Sequence, residues 1–241
     1  MYRLVIKTQQ ISSEQIALDA KQLHYLLRVV RLGNGDRFLA LDGVGNCWLA
    51  ELEQNIARII AAVEVKTELP ISLSLITALP KGSGYEQILR CCTELGVSNF
   101  CPVISDRTLL KPKPNKIERW RKIVTEAAEQ SERQIVPNLS EPLKFSQAIS
   151  QSKPNTPRYI CVARGDISSL WQSLSDLTPT NISEITIATG CEGGWTNNEV
   201  QQASEIGFKP VSLGKRILRA VTAPIAVSSL TAAYLEQAER K

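Results

Sequence analysis

From residue 71 onward, short apolar runs alternate with amphipathic helical patterns, and this alternation limits the fold more than any other feature of the chain. The spacing predicts strands over 72–78, 98–103, 159–163, 185–189 and 211–213. Between them it predicts helices over 85–95 and 117–133. In the second, Ile117, Trp120, Ile123, Val124, Ala127 and Ala128 recur at i, i+3 and i+4 spacing and form one apolar stripe. A third helix opens at the capping box Thr196-Asn-Asn-Glu199 and stops at Gly207. A last one begins near Thr222, where Pro224 has no intrahelical donor to lose. Strands separated by helices in this way pair in parallel and are covered on both faces, so the expected class is α/β.

The first 70 residues follow another pattern. Strands are predicted over 2–7, 37–41, 48–52 and 57–65, with turn residues at Asn34-Gly35 and Asp42-Gly43 and one helical pattern over 20–30. The economical reading is a small β-barrel with one helix. Residues 66–70, Lys-Thr-Glu-Leu-Pro, read as a linker, which gives two expected domains, 1–70 and 71–241.

Composition removes several function classes. The N-terminal apolar stretch is short and broken by charge, unlike a secretory signal. The longest uncharged run, 220–234, contains Thr, Ser and Pro and falls short of the ~20 apolar residues of a membrane span. A cytoplasmic protein without a membrane partner is expected. The six cysteines (47, 91, 92, 101, 161 and 191) form no Cys-x-x-Cys pair, and His24 is the one histidine, so neither a metal site nor a disulfide framework is expected. No G-x-S-x-G elbow is present, and a nucleophile triad is excluded. Residues 1–70 hold eight basic and eight acidic side chains, so the net charge of +4 belongs to the remainder. There, 107–122 carries seven basic residues against Glu118 alone, and 209–219 adds four more with no acid. Such clusters can neutralise phosphates, or can be a solvated helix face; charge alone leaves both open.

Two turns stand out. Gly190-Cys-Glu-Gly193-Gly194 and Leu213-Gly214 each follow a short apolar run and lead toward a helix. The first has neither the G-x-G-x-x-G spacing of a dinucleotide site nor the Gly-Lys-Ser/Thr of a phosphate-binding loop. Glycines there let backbone groups approach a flat ligand closely. Among possible acid/base groups, Glu94 closes a helix, and Glu126 and Glu129 share a polar face on which Glu129 and Arg133 stand at i, i+4.

Taken in order along the chain, these residues resemble the bacterial 16S rRNA uridine-N3 methyltransferases of the SPOUT superfamily. The similarity runs nearly end to end: His24 with Arg28 and Arg31, Gly35-Asp36, Asp42-Gly43-Val-Gly45, Leu79-Pro-Lys81-Gly82, Thr93-Glu-Leu-Gly-Val97, Glu118-Arg-Trp120, Glu126-Ala-Ala-Glu-Gln-Ser131 with Arg133 and Val136-Pro137, Gly190-x-Glu-Gly-Gly194, and Leu213-Gly-x-Arg-Ile-Leu-Arg219.

The resemblance implies a PUA-like RNA-binding barrel followed by an α/β domain with a deep trefoil knot, acting as a homodimer on 16S rRNA or the small ribosomal subunit. It implies S-adenosylmethionine as cofactor, held by Thr189, Gly190, Gly194, Leu213, Gly214, Ile217 and Leu218. RNA contact falls to Lys81, Arg133 and Arg216, with Arg28 and Arg31 in the N-terminal part. Arg219 would stabilise charge developing on the uracil, and Glu192 or Glu129 would take the N3 proton. A knotted methyltransferase acting on a ribose 2′-hydroxyl, or an RNA-binding homologue without turnover, are the alternatives. Two positions depart from the family pattern: Cys191 stands where proline is usual, and Ala220-Val-Thr-Ala223 replaces Thr-Glu-Thr-Ala.

Overall fold

The computed structural model describes residues 1–177 and 182–239. Positions 178–181 and 240–241 of the expected second domain lie outside the described residues. The chain divides into two units, Met1–Glu68 with Ala128–Val136, and Leu69–Ala127 with Pro137–Lys241. The first change of unit falls close to the expected linker. The return of 128–136 to the N-terminal unit is invisible in the local pattern.

The N-terminal unit contains β1 (Arg3–Val5), β2 (Ile11–Ser12), β3 (Gln15–Ala17), α1 (Ala20–His24), β4 (Arg37–Leu41), β5 (Cys47–Glu53) and β6 (Ile56–Ala62). They form one six-stranded sheet in the order β1-β4-β5-β6-β3-β2, antiparallel except for β1 with β4. Strands β2 and β3 are too short for alternation to register and escape sequence reading. Phe38, Ala40, Ala50 and Leu52 pack with Ile16 and Leu26 on one side, while Leu39, Leu41 and Cys47 cluster on the other. The Asp42 turn is held by its own side chain, whose Oδ1 accepts from the amides of Val44 and Asn46. Burial pushes that carboxyl up, but the bonds from the Asn46 side chain and from nearby amides outweigh it, and the group sits below the ordinary carboxylate range.

Helix α1 is capped by Asp19, which accepts from Lys21 and Gln22 amides. It runs on as one π-helical turn, Tyr25–Val29, and leaves through Arg31 at φ +63°. Arg28 and Arg31 are both exposed.

Residues 128–136 are stitched into this unit at many points. The Val5 amide donates to Glu129 Oε1 at 2.6 Å, Gln134 Nε2 to the Val65 carbonyl at 2.8 Å, and the Val136 amide to the Gly43 carbonyl at 2.9 Å. Arg133 is buried, 3% exposed, and its guanidinium grips Glu68 through Nη2 at 2.6 Å and Nε at 3.0 Å. The other Glu68 oxygen accepts from the Ile135 amide. This corrects one expectation. Arg133 is not on the polar face of a helix, because the helix ends at Gln130: Glu132 adopts φ +65° and the Arg133 amide closes the end on the Ala128 carbonyl. The guanidinium expected to meet RNA is, in this structure, buried and paired with Glu68 inside the unit.

The C-terminal unit contains β7 (Ser72–Ala78), α2 (Gly84–Glu94), β8 (Asn99–Ile104), α3 (Pro114–Gln130, to Ala127), β9 (Asn138–Leu139), β10 (Leu143–Lys144), α4 (Phe145–Ser150), β11 (Arg158–Cys161), α5 (Leu170–Ser175), β12 (Glu184–Thr189), α6 (Asn197–Glu205), β13 (Lys209–Val211) and α7 (Thr222–Glu239). Its sheet is parallel throughout, ordered β10-β8-β7-β12-β11-β13 with β9 beside β8. The mixed α/β class is as expected. The central pair β7 and β12 is buried, as a strand covered on both faces must be. Tyr85 of α2 and Trp120 of α3 meet edge to face, with ring centroids 4.6 Å apart. The last strand lies two residues earlier than expected. Lys209–Val211 pairs only with β11, and at a sheet edge Pro210 is tolerated despite its missing N–H.

Cutting Arg133 back to alanine leaves the Glu68 carboxylate without its guanidinium partner in a largely buried setting. We expect Arg133→Ala to destabilise the N-terminal unit by about 3 kcal/mol, the usual order for removing one member of a buried ion pair, as read by denaturant unfolding. A loss below about 0.5 kcal/mol would place it among surface pairs instead.

Candidate functional site

The carboxyl ends of adjacent parallel strands are where an open α/β sheet holds its ligands, because the chain turns away there and leaves a crevice. In the C-terminal unit a cleft of about 870 Å³ lies against the segments following β12, β11 and β13. That is within the roughly 300–1,000 Å³ usual for a small-molecule site. The turn 190–195 forms one wall, 161–164 with Ile167 a second, and 213–218 a third. Ala220 and Ala223 close the side toward α7.

The glycines of the first turn serve different needs. Gly190 has no room for a side chain, since a Cβ there would stand 3.1 Å from Gly194 Cα. Gly194 adopts φ +66° and its amide closes the turn on the Cys191 carbonyl at 2.9 Å. Cys191 is buried, and its sulfur is 3.9 Å from Ser105 Oγ. The turn runs into α6 through the expected capping box, with Thr196 Oγ1 accepting from the Glu199 amide.

Glu199 does more than cap. Its carboxylate is buried, 3% exposed, and accepts from the Thr196 amide at 2.8 Å and from the Asp106 amide, in the loop after β8, at 2.9 Å. Thr196 Oγ1 lies 3.0 Å from Asp106 Oδ2. Next to it, Arg107 Nη1 donates to the Gly193 and Trp195 carbonyls. On the β7 side, the Lys81 amide donates to Glu192 Oε1 at 3.0 Å, and Lys116 Nζ donates to the Gly82 carbonyl at 2.8 Å. Two loops, those after β7 and β8, thus converge on the turn. Cys161 lines the cleft too, but burial pushes its thiol up to about 12, which keeps it protonated and unreactive near neutral pH.

The predicted residues distribute unevenly over this geometry. Gly190, Gly194, Leu213, Gly214, Ile217 and Leu218 line the cleft, as do Glu192 and Arg216. Thr189 does not: it is fully buried at the end of β12, with its hydroxyl 3.3 Å from that of Thr77. Arg219 is exposed and lies outside the lining, and the Lys81 side chain is exposed. Glu129 stands in the N-terminal unit, engaged by the Val5 amide, as do Arg28 and Arg31. Within the basic run, Arg119 pairs with Glu86 and Arg121 with Glu118 and Glu141 at the surface, and Arg107 and Lys116 hold carbonyls.

The wall at 161–167 escaped sequence reading. Its signal was available, because Arg164-Gly165 is a third glycine turn after an apolar run, with Gly165 at φ +125°. The unusual Val221 also finds an explanation: a Cβ on Gly84 would lie 2.9 Å from Val221 Cγ2, so the valine fills the notch that this glycine leaves.

A family model described as an RNA methyltransferase domain matches residues 67–232, and one for an RNA methyltransferase PUA domain matches 18–59. The chain belongs to this RNA methyltransferase family. It is 49% identical over 240 residues to the ribosomal RNA small subunit methyltransferase E of Synechocystis sp., spanning 98% of this chain and 78% of that protein. To the Bacillus subtilis protein of the same name it is 30% identical, covering 93% and 92%. Among solved structures, the ribosomal RNA small subunit methyltransferase E of Neisseria gonorrhoeae bound to S-adenosyl methionine superposes with a TM-score of 0.83 at 28% identity, over 96% of each chain. A Legionella pneumophila putative methyltransferase with bound SAM gives the same TM-score at 27% identity, over 96% of this chain and 97% of that one. Among the described residues no cluster of three or more His, Cys, Asp or Glu could hold a metal ion, and no helix is long and apolar enough to cross a membrane.

Glu199 ties the start of α6 to the loop after β8. Glu199→Ala leaves the Thr196 and Asp106 amides without their acceptor. We expect a stability loss of about 2 kcal/mol, the order for stranded buried donors, with faster amide exchange over 190–196. Unchanged exchange there would mean that the turn holds itself.

Proposed function

We propose that the protein is an S-adenosylmethionine-dependent methyltransferase that modifies N3 of a uridine in 16S rRNA, in the cytoplasm, as a homodimer. What carries the reading is the cleft at the glycine turn, in a chain whose fold matches proteins solved with that cofactor. The residues suit the cofactor. Leu213, Ile217, Leu218 and Ala223 offer apolar surface for an adenine ring and the methylenes flanking the sulfonium, and the backbone at Gly190 and Gly194 admits close approach. The proposed trefoil knot, formed by 190–194 and 213–218, is supported by the resemblance of both segments to SPOUT members, a rare exception to unknotted folds. The homodimer is supported by Ile217, which is apolar and 66% exposed, a side chain that a second copy would cover.

Bound S-adenosylmethionine supplies an electrophilic methyl group, and its transfer to uracil N3 releases the N3 proton. Glu192 is the proposed acceptor: the Lys81 amide fixes one of its carboxylate oxygens and leaves the other for the proton. The engagement of Glu129 by Val5 favours Glu192 over it. Arg219, exposed and permanently charged, is proposed to stabilise the negative charge that develops on the flanking carbonyl oxygens. Arg216 and Lys81 are proposed to hold phosphates, and Arg28 and Arg31 to bind RNA from the N-terminal unit.

Mass spectrometry of 16S rRNA nucleosides from a deletion strain tests the reaction. Loss of 3-methyluridine is expected; loss of a ribose methyl would move the acceptor to a 2′-hydroxyl, and no change would leave an RNA-binding protein without turnover. Arg31 gives a second test. Glycine is at ease at φ +63°, so Arg31→Gly should raise stability by up to about 1 kcal/mol while weakening RNA binding. Undiminished RNA affinity in this more stable variant would remove Arg31 from the interface.

A further inference from the structure

We infer that Arg107 is a positioning residue for the cofactor: it clamps the 190–195 turn from the loop after β8, and cofactor affinity depends on that clamp. The inference rests on reading the cleft as the S-adenosylmethionine site.

Three observations carry it. First, one nitrogen, Nη1, donates to the Gly193 carbonyl at 2.6 Å and to the Trp195 carbonyl at 3.2 Å. These two residues flank Gly194, the left-handed position of the turn, so the joint is pinned on both sides. Nothing lies within 4 Å of where a Gly194 Cβ would be, so no side-chain packing there does the same task. Second, the aliphatic stem of Arg107 lies flat on Gly193. A Cβ at that position would stand 3.0 Å from Arg107 Cδ and 3.1 Å from Arg107 Cβ. The absence of a side chain at Gly193 therefore makes room for the arginine stem. Third, the loop that carries Arg107 is itself held. The neighbouring Asp106 amide donates to buried Glu199, and the Ser105 amide donates to Thr108 Oγ1. An exposed arginine on a loose loop would pay much of its bond energy in entropy, whereas one on an anchored loop pre-organises the wall it touches.

This separates Arg107 from the basic residues that follow it in sequence. A phosphate contact would leave cofactor binding alone and weaken RNA binding; a clamp does the reverse.

The test uses the full chain and titrates S-adenosylhomocysteine by calorimetry, alongside melting of the ligand-free protein. Arg107→Ala should weaken binding roughly tenfold, the equivalent of about one charge-assisted hydrogen bond. The ligand-free melting temperature should stay within about 2 °C, as for a surface change. Arg107→Lys, which keeps the charge and three donors, should recover part of the loss. Gly193→Ala should also weaken binding, and the double variant Arg107→Ala with Gly193→Ala should bind no worse than the poorer single one, because both remove the same contact. Leu218→Asp, at a partly buried position of the cleft, serves as the control for the site. Loss of binding in Leu218→Asp with wild-type affinity in Arg107→Ala would overturn the clamp and keep the cleft. Wild-type affinity in both would instead remove the cleft as the cofactor site. A large fall in melting temperature, unrescued by lysine, would make Arg107 merely structural and overturn the proposal, as would a loss confined to RNA affinity.

Discussion

The pairing of β7 with β12 is the constraint from which the C-terminal unit follows. Six consecutive residue pairs, from Ser72 with Glu184 to Thr77 with Thr189, join segments more than a hundred residues apart. Both strands are buried, and at the end of the ladder the hydroxyls of Thr77 and Thr189 meet with no exposure to water. A slip of one residue would turn every side chain of β12 to the opposite face and strand one of those hydroxyls. The register also decides what lies beside the glycine turn. Because β12 stops level with the end of β7, Glu192 reaches the Lys81 amide, and three loops from distant parts of the sequence share one crevice.

Much of this was legible where local chemistry decides the outcome. The capping box at Thr196 needs only four residues to specify it, and it appears as read. The strands 72–78 and the turns at Asp42 and Gly190 are likewise fixed by their own composition. Where partners come from far away, local reading ran out. Strand β13 hides behind Pro210, which only an edge position permits. Helix α3 extends back to Pro114, a residue well suited to a first turn, and stops at Gln130 because Glu132 turns left-handed. Short α4 and α5 have too few turns for a period to emerge. Arg107 looked like one more positive charge in a basic run, since charge is visible in sequence and the carbonyls it holds, 86 and 88 residues away, are not.

Motif residues also divide by task once placed. Thr93-Glu-Leu-Gly-Val97 is a helix ending, with the Val97 amide on the Cys92 carbonyl and the Gly96 amide on that of Thr93. Glu129 and Arg133 complete the N-terminal unit rather than the cleft. Gly190, Gly194, Leu213, Gly214, Arg216, Ile217 and Leu218 line the cleft. Membership of a motif thus does not tell folding from chemistry; the surroundings of each residue in the fold do.

The strap at 128–136 has a consequence for the order of events during synthesis. Glu68 and the Gly43 carbonyl emerge from the ribosome some sixty residues or more before the Arg133 and Val136 groups that satisfy them. The six strands and both apolar clusters of the N-terminal unit lie within its first 68 residues, but its last buried ion pair and the strap's hydrogen bonds wait while β7, α2, β8 and most of α3 are made. The leading unit of this chain is therefore completed only after much of the second has been synthesised.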